Sequence, residues 1–261
     1  MVGTQKGGTT TVHHLLGQHP DVWTSLPKET GFFFFPPPRR FTPDRLDHGV
    51  YHRFFAGWTG ERAVGEAYPG YMAVPWVAPR LQAYNPDMRI ICILRDPASR
   101  AYSHYNMLAG DGAERLSFSE ALAAERLRLF GPANPEVTPS DRTLPVYAYA
   151  NRGLYMAQLK RILEYFPRSQ VLVTRNEDLR DDMPRVMRVL YEFIGVDPTF
   201  VPQPVRLLEG RYTGEMSPAD HAFLRDFHRE DTEELERFLG WDLSAWKAPW
   251  KPRAAAGGGA A

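Results

Sequence analysis

The chain has 261 residues, 43% of them apolar, with 31 Lys and Arg against 31 Asp and Glu. This composition suits one globular domain, and the zero net charge argues against a general nucleic-acid binder. The single cysteine, Cys92, excludes an internal disulfide. No apolar run approaches the roughly 18 residues of a membrane span. We expect one domain over residues 1–250 and a disordered, low-complexity tail over residues 251–261.

The chain begins with a glycine-rich segment that leads into a helix. Residues 3–10, GTQKGGTT, are the opening loop, and the apolar positions after it predict a helix over residues 9–19. His19-Pro20 ends this helix. Only two residues precede Gly3, fewer than in a strand of typical length. We therefore expect a sheet whose first strand is missing, or a truncated chain.

Strands and helices alternate along the rest of the chain. Strands are predicted over residues 63–67, 89–94 and 170–174. Helices are predicted over residues 74–84, from 97, and over 117–130, 153–166, 183–194 and 217 to about 239. Residues 20–61 are rich in Pro, Gly and Phe and are predicted to form a loop with short helical pieces, and residues 131–145 are predicted to form a proline-rich loop. The alternation predicts an α/β fold, with a P-loop-like parallel sheet flanked by helices.

The opening loop has the glycine spacing of a phosphate-binding loop, but its lysine is displaced. A Walker A lysine directly follows the second glycine, whereas here Lys6 lies inside the loop, before Gly8. A lysine at the earlier position suits a nucleotide that is not a triphosphate. The glycines let backbone N–H groups surround an anion at the start of a helix. The residues expected to bind it are Lys6, Gly7, Gly8, Thr9 and Thr10. A frayed glycine-rich segment before a helix is the alternative.

A second motif, RDPASRAYS at residues 95–103, follows the most apolar predicted strand. It therefore lies at the carboxyl edge of the sheet, where α/β folds bind ligands. Arg95 at the strand end and Ser103 on the next helix are placed to bind one phosphate, with a guanidinium fork and a hydroxyl donor. The alternative is an ordinary strand–helix turn with a surface arginine.

Together, QKGGTT and RDPASRAYS closely resemble the sulfotransferase family, whose enzymes use 3′-phosphoadenosine 5′-phosphosulfate. The resemblance implies that the first motif holds the 5′-phosphosulfate and the second the 3′-phosphate. Residues 29–33 and 210–216 further resemble the carbohydrate branch, similar to heparan sulfate N- and 3-O-sulfotransferases. The later segment resembles a loop that closes over the cofactor, which implies contacts from Gly210, Arg211, Tyr212 and Thr213. Glu209 stands where that loop has a lysine.

The same resemblance implies catalytic roles for Glu29 and Lys6. Glu29 aligns with the glutamate that serves as general base in the carbohydrate branch, and Lys6 would neutralise the departing phosphate. The phenylalanine run after Glu29 predicts an apolar setting that raises its pKa. Glu66 is a second candidate carboxylate. Its neighbour Ala67 replaces a lysine of the family segment, which weakens the expectation of a heparan-type acceptor.

The implied cofactor is 3′-phosphoadenosine 5′-phosphosulfate, without a metal. The implied partner is a carbohydrate or another small acceptor, without nucleic acid. The family places a eukaryotic chain whose anchor is missing in the Golgi lumen, and otherwise we expect the cytoplasm. Two alternatives stay open. One is a P-loop kinase acting on a small molecule, and the other is a truncated or inactive homologue that binds the nucleotide or a partner without turnover.

Overall fold

The computed structural model describes residues 1–34, 46–130, 146–205, 212 and 214–249. Two pairs of parallel strands are present in these ranges, β1 (Val22–Thr24) with β2 (Ala63–Gly65) and β3 (Ile90–Leu94) with β4 (Val171–Arg175). The helices are α1 (Thr9–Leu16), α2 (His48–His52), α3 (Val77–Tyr84), α4 (Pro97–Gly110), α5 (Phe118–Phe130), α6 (Tyr155–Leu163), α7 (Asn176–Asp181), α8 (Met183–Ile194), α9 (Pro218–Leu239) and α10 (Ser244–Lys247). Short 3₁₀ turns cover Arg53–Phe55, Tyr71–Ala73, Asn151–Gly153 and Arg168–Gln170. The predicted loop over residues 131–145 and the predicted tail lie outside the described residues.

Strand β3 lies inside the core, and its side chains alternate between two apolar clusters. Ile90, Cys92 and Leu94 pack with residues of α3 and α6. Ile91 and Ile93 point the other way and pack with residues of α1 and α8. Every β3 residue is buried, which explains the uninterrupted apolar run in its sequence. Helices therefore cover both faces of a parallel strand pair, and the predicted α/β class is confirmed.

As expected, residues 1–4 form no strand of typical length, but they run beside β3 and make a single parallel bridge between Gly3 and Cys92. The N–H of Thr4 donates to Ile93 O at 2.8 Å, and the N–H of Ile93 donates to Gly3 O at 2.8 Å. On the other side, the N–H of Met72 donates to Val2 O at 2.8 Å. Pairing on both sides, rather than strand length, fixes the start of the opening loop.

Capping residues in the sequence predict the end of α8 and the start of α9 correctly. Some short elements, in contrast, were not predicted. α8 stops before Gly195, which adopts φ 81°, and α9 begins after Ser217, whose hydroxyl accepts the N–H of Asp220 at 3.0 Å. β1 occupies only three residues of a segment predicted as loop, and α7 is absent from the predicted elements. Within the described ranges, no helix combines the length and apolar character needed to cross a membrane.

Candidate functional site

The opening loop packs tightly against β3 and the start of α7. The N–H of Gly7 donates to Thr4 O at 2.9 Å, and Lys6 and Gly8 adopt φ values of 67° and 99°. A Cβ added at Gly7 would lie 2.6 Å from the carbonyl oxygen of Ile93. One added at Gly8 would lie 2.4 Å from Nδ2 of Asn176. The loop therefore needs glycine at position 7 for the close approach of its backbone to β3, and at position 8 for the positive φ.

The opening loop places the N-terminus of α1 near the carboxyl end of β3. Gly8 occupies the N-cap position, and no side chain caps the helix with a hydrogen bond. The first turn, which contains Thr9 and Thr10, carries no acidic residue. Its N–H groups therefore lack the usual side-chain acceptor, and the positive end of the helix dipole adds to their attraction for an anion.

Lys6 and Arg95 lie together at the carboxyl end of β3, as the two motifs predict. Nη1 of Arg95 donates to the carbonyl oxygen of Lys6 at 3.2 Å, and the Tyr155 hydroxyl donates to Arg95 O at 2.7 Å. Burial lowers the pKa of the Lys6 ammonium, while Tyr212 opposes this shift and Arg95 adds to it. Two neighbouring cations at a partly buried position favour an anionic ligand between them.

Ser103 and Tyr212 complete this group. Ser103 is 4% exposed on α4, and the Tyr212 ring stacks on Tyr102 at a centroid distance of 5.8 Å. Burial raises the pKa of the Tyr212 phenol, but hydrogen bonds with Ser103 and Arg95, together with the charges of Arg95 and Lys6, bring it below its usual value. The structure therefore brings together Lys6, Arg95, Ser103 and Tyr212, which we term the anion site. The predicted contacts Gly210, Arg211 and Thr213 lie outside the described residues.

Glu29 does not have the apolar setting expected from its sequence neighbours. Its side chain is 47% exposed and accepts a hydrogen bond from the Lys28 ammonium at 2.6 Å. The backbone turns at Gly31, with φ 65°, and the following Phe33 and Phe34 enter the core. The apolar setting expected around the Glu29 carboxylate is therefore not found, because the turn separates it from the aromatic run.

The charges of Glu29 and Arg152 both act on the Tyr68 phenol. Burial raises the pKa of the Tyr68 phenol, the charge of Glu29 raises it further, and Arg152 opposes the shift. Arg152 in turn donates from Nη1 to the side-chain oxygen of Gln5, the residue before Lys6. The charge of Glu29 and the charge of the arginine that binds Gln5 thus both act on Tyr68.

Glu66 is the buried carboxylate of this region. It accepts hydrogen bonds from the hydroxyls of Tyr51 and Tyr71, both at 3.1 Å, and from that of Thr30. Burial raises the pKa of Glu66, although these hydroxyl donors oppose the shift. The carboxylate oxygens are thus occupied by protein donors. Glu66 anchors the segment after Glu29 and is poorly placed to take a proton from an acceptor.

The Gln5–Arg152 contact and the hydroxyls around Glu66 were not predicted from the sequence. Arg152 and Gln5 are 147 residues apart, and neither position carries a local signal of the contact. The available signal was the polar side chain of Gln5, directly before Lys6, which indicates a hydrogen-bonding residue but not its partner. Among the described residues, no group of three or more His, Cys, Asp or Glu side chains is arranged to hold a metal ion.

Comparison with known proteins shows that the chain is similar to sulfotransferases. A family model described as sulfotransferase domain matches residues 75–217. A sulfotransferase structure from Alicyclobacillus acidocaldarius is 36% identical and superposes with a TM-score of 0.79, covering 95% of this chain and 97% of that one.

The chain is also similar to curated enzymes whose names include a carbohydrate substrate. The bifunctional heparan sulfate N-deacetylase/N-sulfotransferase 4 of Mus musculus is 28% identical over 94% of this chain and 30% of its own length. Carbohydrate sulfotransferase 15 of Homo sapiens is 29% identical over 64% of this chain and 32% of its own length. The chain matches only about 30% of the length of these relatives.

Proposed function

Because the chain belongs to the sulfotransferase domain family, we propose that it transfers a sulfuryl group from 3′-phosphoadenosine 5′-phosphosulfate to a hydroxyl or amine of a carbohydrate. The observation that carries this proposal is the convergence of the two motifs in one anion site. The names of the curated relatives support a carbohydrate as the acceptor class. The alternative of a P-loop kinase is not supported, because the matching family model and the matching solved structure are both sulfotransferases.

The residues present fit a nucleotide with two separated anionic groups. The uncapped start of α1, Lys6 and the close-packed glycines suit the 5′ end, while Arg95, Ser103 and Tyr212 suit the 3′-phosphate. When bound, this donor supplies a sulfuryl group activated by its bond to the 5′-phosphate. Lys6 holds positive charge where negative charge develops on the leaving phosphate oxygen, so its contribution grows as the reaction proceeds.

Glu29 is the proposed general base. Its exposed carboxylate is open to an acceptor that arrives from solvent, and its charge acts on Tyr68. The Lys28 ammonium donates to one oxygen of this carboxylate at 2.6 Å, and a proton-accepting carboxylate has a second oxygen for the acceptor. Glu66 supports this role by fixing Thr30, the next residue, through a hydrogen bond.

A transfer assay with radiolabelled donor and a panel of neutral, amino and acidic oligosaccharides tests the proposal. We expect sulfate incorporation into at least one acceptor. Glu29→Gln should lower kcat by about 10²–10⁴-fold and leave the affinity for adenosine 3′,5′-bisphosphate unchanged. Glu230→Gln, which alters an exposed carboxylate on α9, is the matched control and should retain full activity.

Two outcomes would contradict the proposal at different points. Nucleotide binding without transfer to any acceptor would favour the inactive-homologue alternative. Full activity in Glu29→Gln would leave the family assignment intact and remove Glu29 from the role of base.

A further inference from the structure

The orientation of the Gln5 amide is determined by its partner. Arg152 Nη1 donates to Oε1 of Gln5, and a guanidinium can only donate hydrogen bonds. The amide oxygen must therefore face Arg152, and the NH₂ group must point away from it. Gln5 is half-buried, and in the described part of the chain no residue accepts a hydrogen bond from its Nε2. Two N–H donors are thus presented beside Lys6.

Arg152 is held rigidly on the 3₁₀ turn Asn151–Gly153. Its side chain is buried, and its carbonyl oxygen accepts a hydrogen bond from Gln158 Nε2 at 3.1 Å. The buried Glu125 carboxylate accepts the N–H groups of Ala150 and Asn151 at 2.7 and 2.8 Å. A turn fixed at both ends cannot swing its guanidinium freely, so the direction of the Gln5 amide is fixed as well.

The charge on Arg152 is only partly balanced. Arg100, which is fully buried, lies close enough to act on it electrostatically, and Glu125 is the described carboxylate whose charge acts on both. Nε of Arg152 and Nε and Nη1 of Arg100 have no hydrogen-bond partner among the described residues. Burial lowers the pKa of Arg152 to about 9, so its guanidinium is still a cation near neutral pH. Buried excess positive charge is costly unless an anion compensates it.

We propose that Arg152 is a positioning residue for sulfuryl transfer, because it turns the Gln5 amide so that its N–H groups donate to the oxygens of the transferred group. In the transfer, the acceptor oxygen or nitrogen bonds to sulfur, and the bond from sulfur to the 5′-phosphate oxygen breaks. The electron pair stays on that phosphate oxygen beside Lys6, and the acceptor proton passes to Glu29. Fixed donors near the sulfuryl oxygens lower the barrier to this step. The inference rests on the proposed function.

A double-mutant cycle tests the link between the two residues. Gln5→Ala and Arg152→Gln should each lower kcat by about 10²–10³-fold, the loss typical of one positioned donor. The double variant should lose no more than either single variant, because both changes remove the same donor. The affinity for adenosine 3′,5′-bisphosphate, which lacks the sulfuryl group, should change by less than about threefold.

Arg161→Gln is the matched control for the loss of a partly buried arginine. Arg161 also carries an unpaired Nε, but its Nη2 donates to the carbonyl oxygens of Met72 and Ala73, both at 3.5 Å, and not to the opening loop. We expect wild-type kcat for this variant. If Arg152→Gln does not fold, Arg152→Lys keeps the charge without the planar fork and should still lower kcat more than it changes the nucleotide affinity.

Gln5→Glu provides a measurement that does not depend on activity. A carboxylate at this position would pair with the Arg152 guanidinium, so the unfolding temperature of the nucleotide-free protein should be unchanged or higher. The same variant should lower kcat at least as much as Gln5→Ala, because it removes both donors and adds negative charge. A lower unfolding temperature for Gln5→Glu would overturn the contact.

The failures can be told apart. An active wild-type protein in which Arg152→Gln retains its kcat, or in which the two single losses multiply, would overturn the inference alone. Loss of nucleotide binding in Arg152→Gln would also overturn it, because Arg152 would then shape the whole loop. A wild-type protein that transfers nothing would overturn the proposed function, and this inference with it.

Discussion

Gly7→Ala is the substitution that probes the opening loop most directly. A Cβ at this position would lie 2.6 Å from the carbonyl oxygen of Ile93 and 2.9 Å from that of Thr4. The Ile93 oxygen already accepts the N–H of Thr4 at 2.8 Å, so it cannot retreat without breaking the pairing that holds the loop. Overpacking of this kind costs about 1–3 kcal/mol. Each kcal/mol lowers the Tm of a domain of this size by about 2–4 °C.

Urea unfolding gives the free energy of unfolding, and calorimetry gives the affinity for adenosine 3′,5′-bisphosphate. We expect Gly7→Ala to lower both. Gly110→Ala is the matched control, because Gly110 is the last residue of α4 and a Cβ there meets nothing within 4 Å. It should raise the free energy of unfolding by about 0.4–1 kcal/mol. Wild-type stability and affinity in Gly7→Ala would refute the close packing of the loop against β3.

Three further changes test the electrostatics of the described residues. The affinity for adenosine 3′,5′-bisphosphate should already fall at a pH below 10.5, because Lys6 attracts an anion only while protonated and burial lowers its pKa from that usual value. Calorimetry on Lys6→Arg should show no such fall in the same pH range. Burial raises the pKa of Glu114, but hydrogen bonds from Arg128 and Tyr149 outweigh this and set it at about 2. The resulting stability is present above pH 4.5 and lost as the pH falls toward 2, so Glu114→Gln should cost roughly 3 kcal/mol in urea unfolding at pH 7 and far less at pH 2. Glu66→Gln leaves three hydroxyl donors facing an amide, and it should lower the free energy of unfolding by about 1–3 kcal/mol; equal stability of variant and wild type would contradict the network.

Much of the fold follows from local patterns. The apolar run of β3, the Gly195 signal after α8 and the Ser217 cap of α9 act within a few residues, so the sequence displays them directly. The pairing of residues 1–4 with β3 depends on hydrogen bonds to a strand nearly ninety residues away. Short elements such as β1 also form through tertiary pairing and leave no periodic pattern.

In the candidate site, too, some contacts follow from sequence motifs and others depend on the tertiary structure. The two motifs were expected to form one nucleotide site because of the family resemblance, and Lys6 and Arg95 do lie together at the carboxyl end of β3. The surroundings of Glu29 were predicted wrongly, because a turn at Gly31 reverses which side chains are neighbours. Arg152, the partner of Gln5, and Thr30 and Tyr51, two of the three partners of Glu66, come from other segments, and nothing in the local sequence indicates these contacts.

The most direct test of the anion site compares adenosine 3′,5′-bisphosphate with adenosine 5′-phosphate in calorimetry, on the wild-type protein and on Arg95→Ala. If Arg95 holds the 3′-phosphate, removal of that phosphate should weaken binding to the wild-type protein by about 10–100-fold, equivalent to roughly 1.5–3 kcal/mol. The same removal should weaken binding to Arg95→Ala by a clearly smaller factor, because, among the described residues assigned to the 3′-phosphate, only Ser103 and Tyr212 then remain to contact it. An equal loss in both proteins would show that Arg95 does not contact the 3′-phosphate and would contradict the two-motif site.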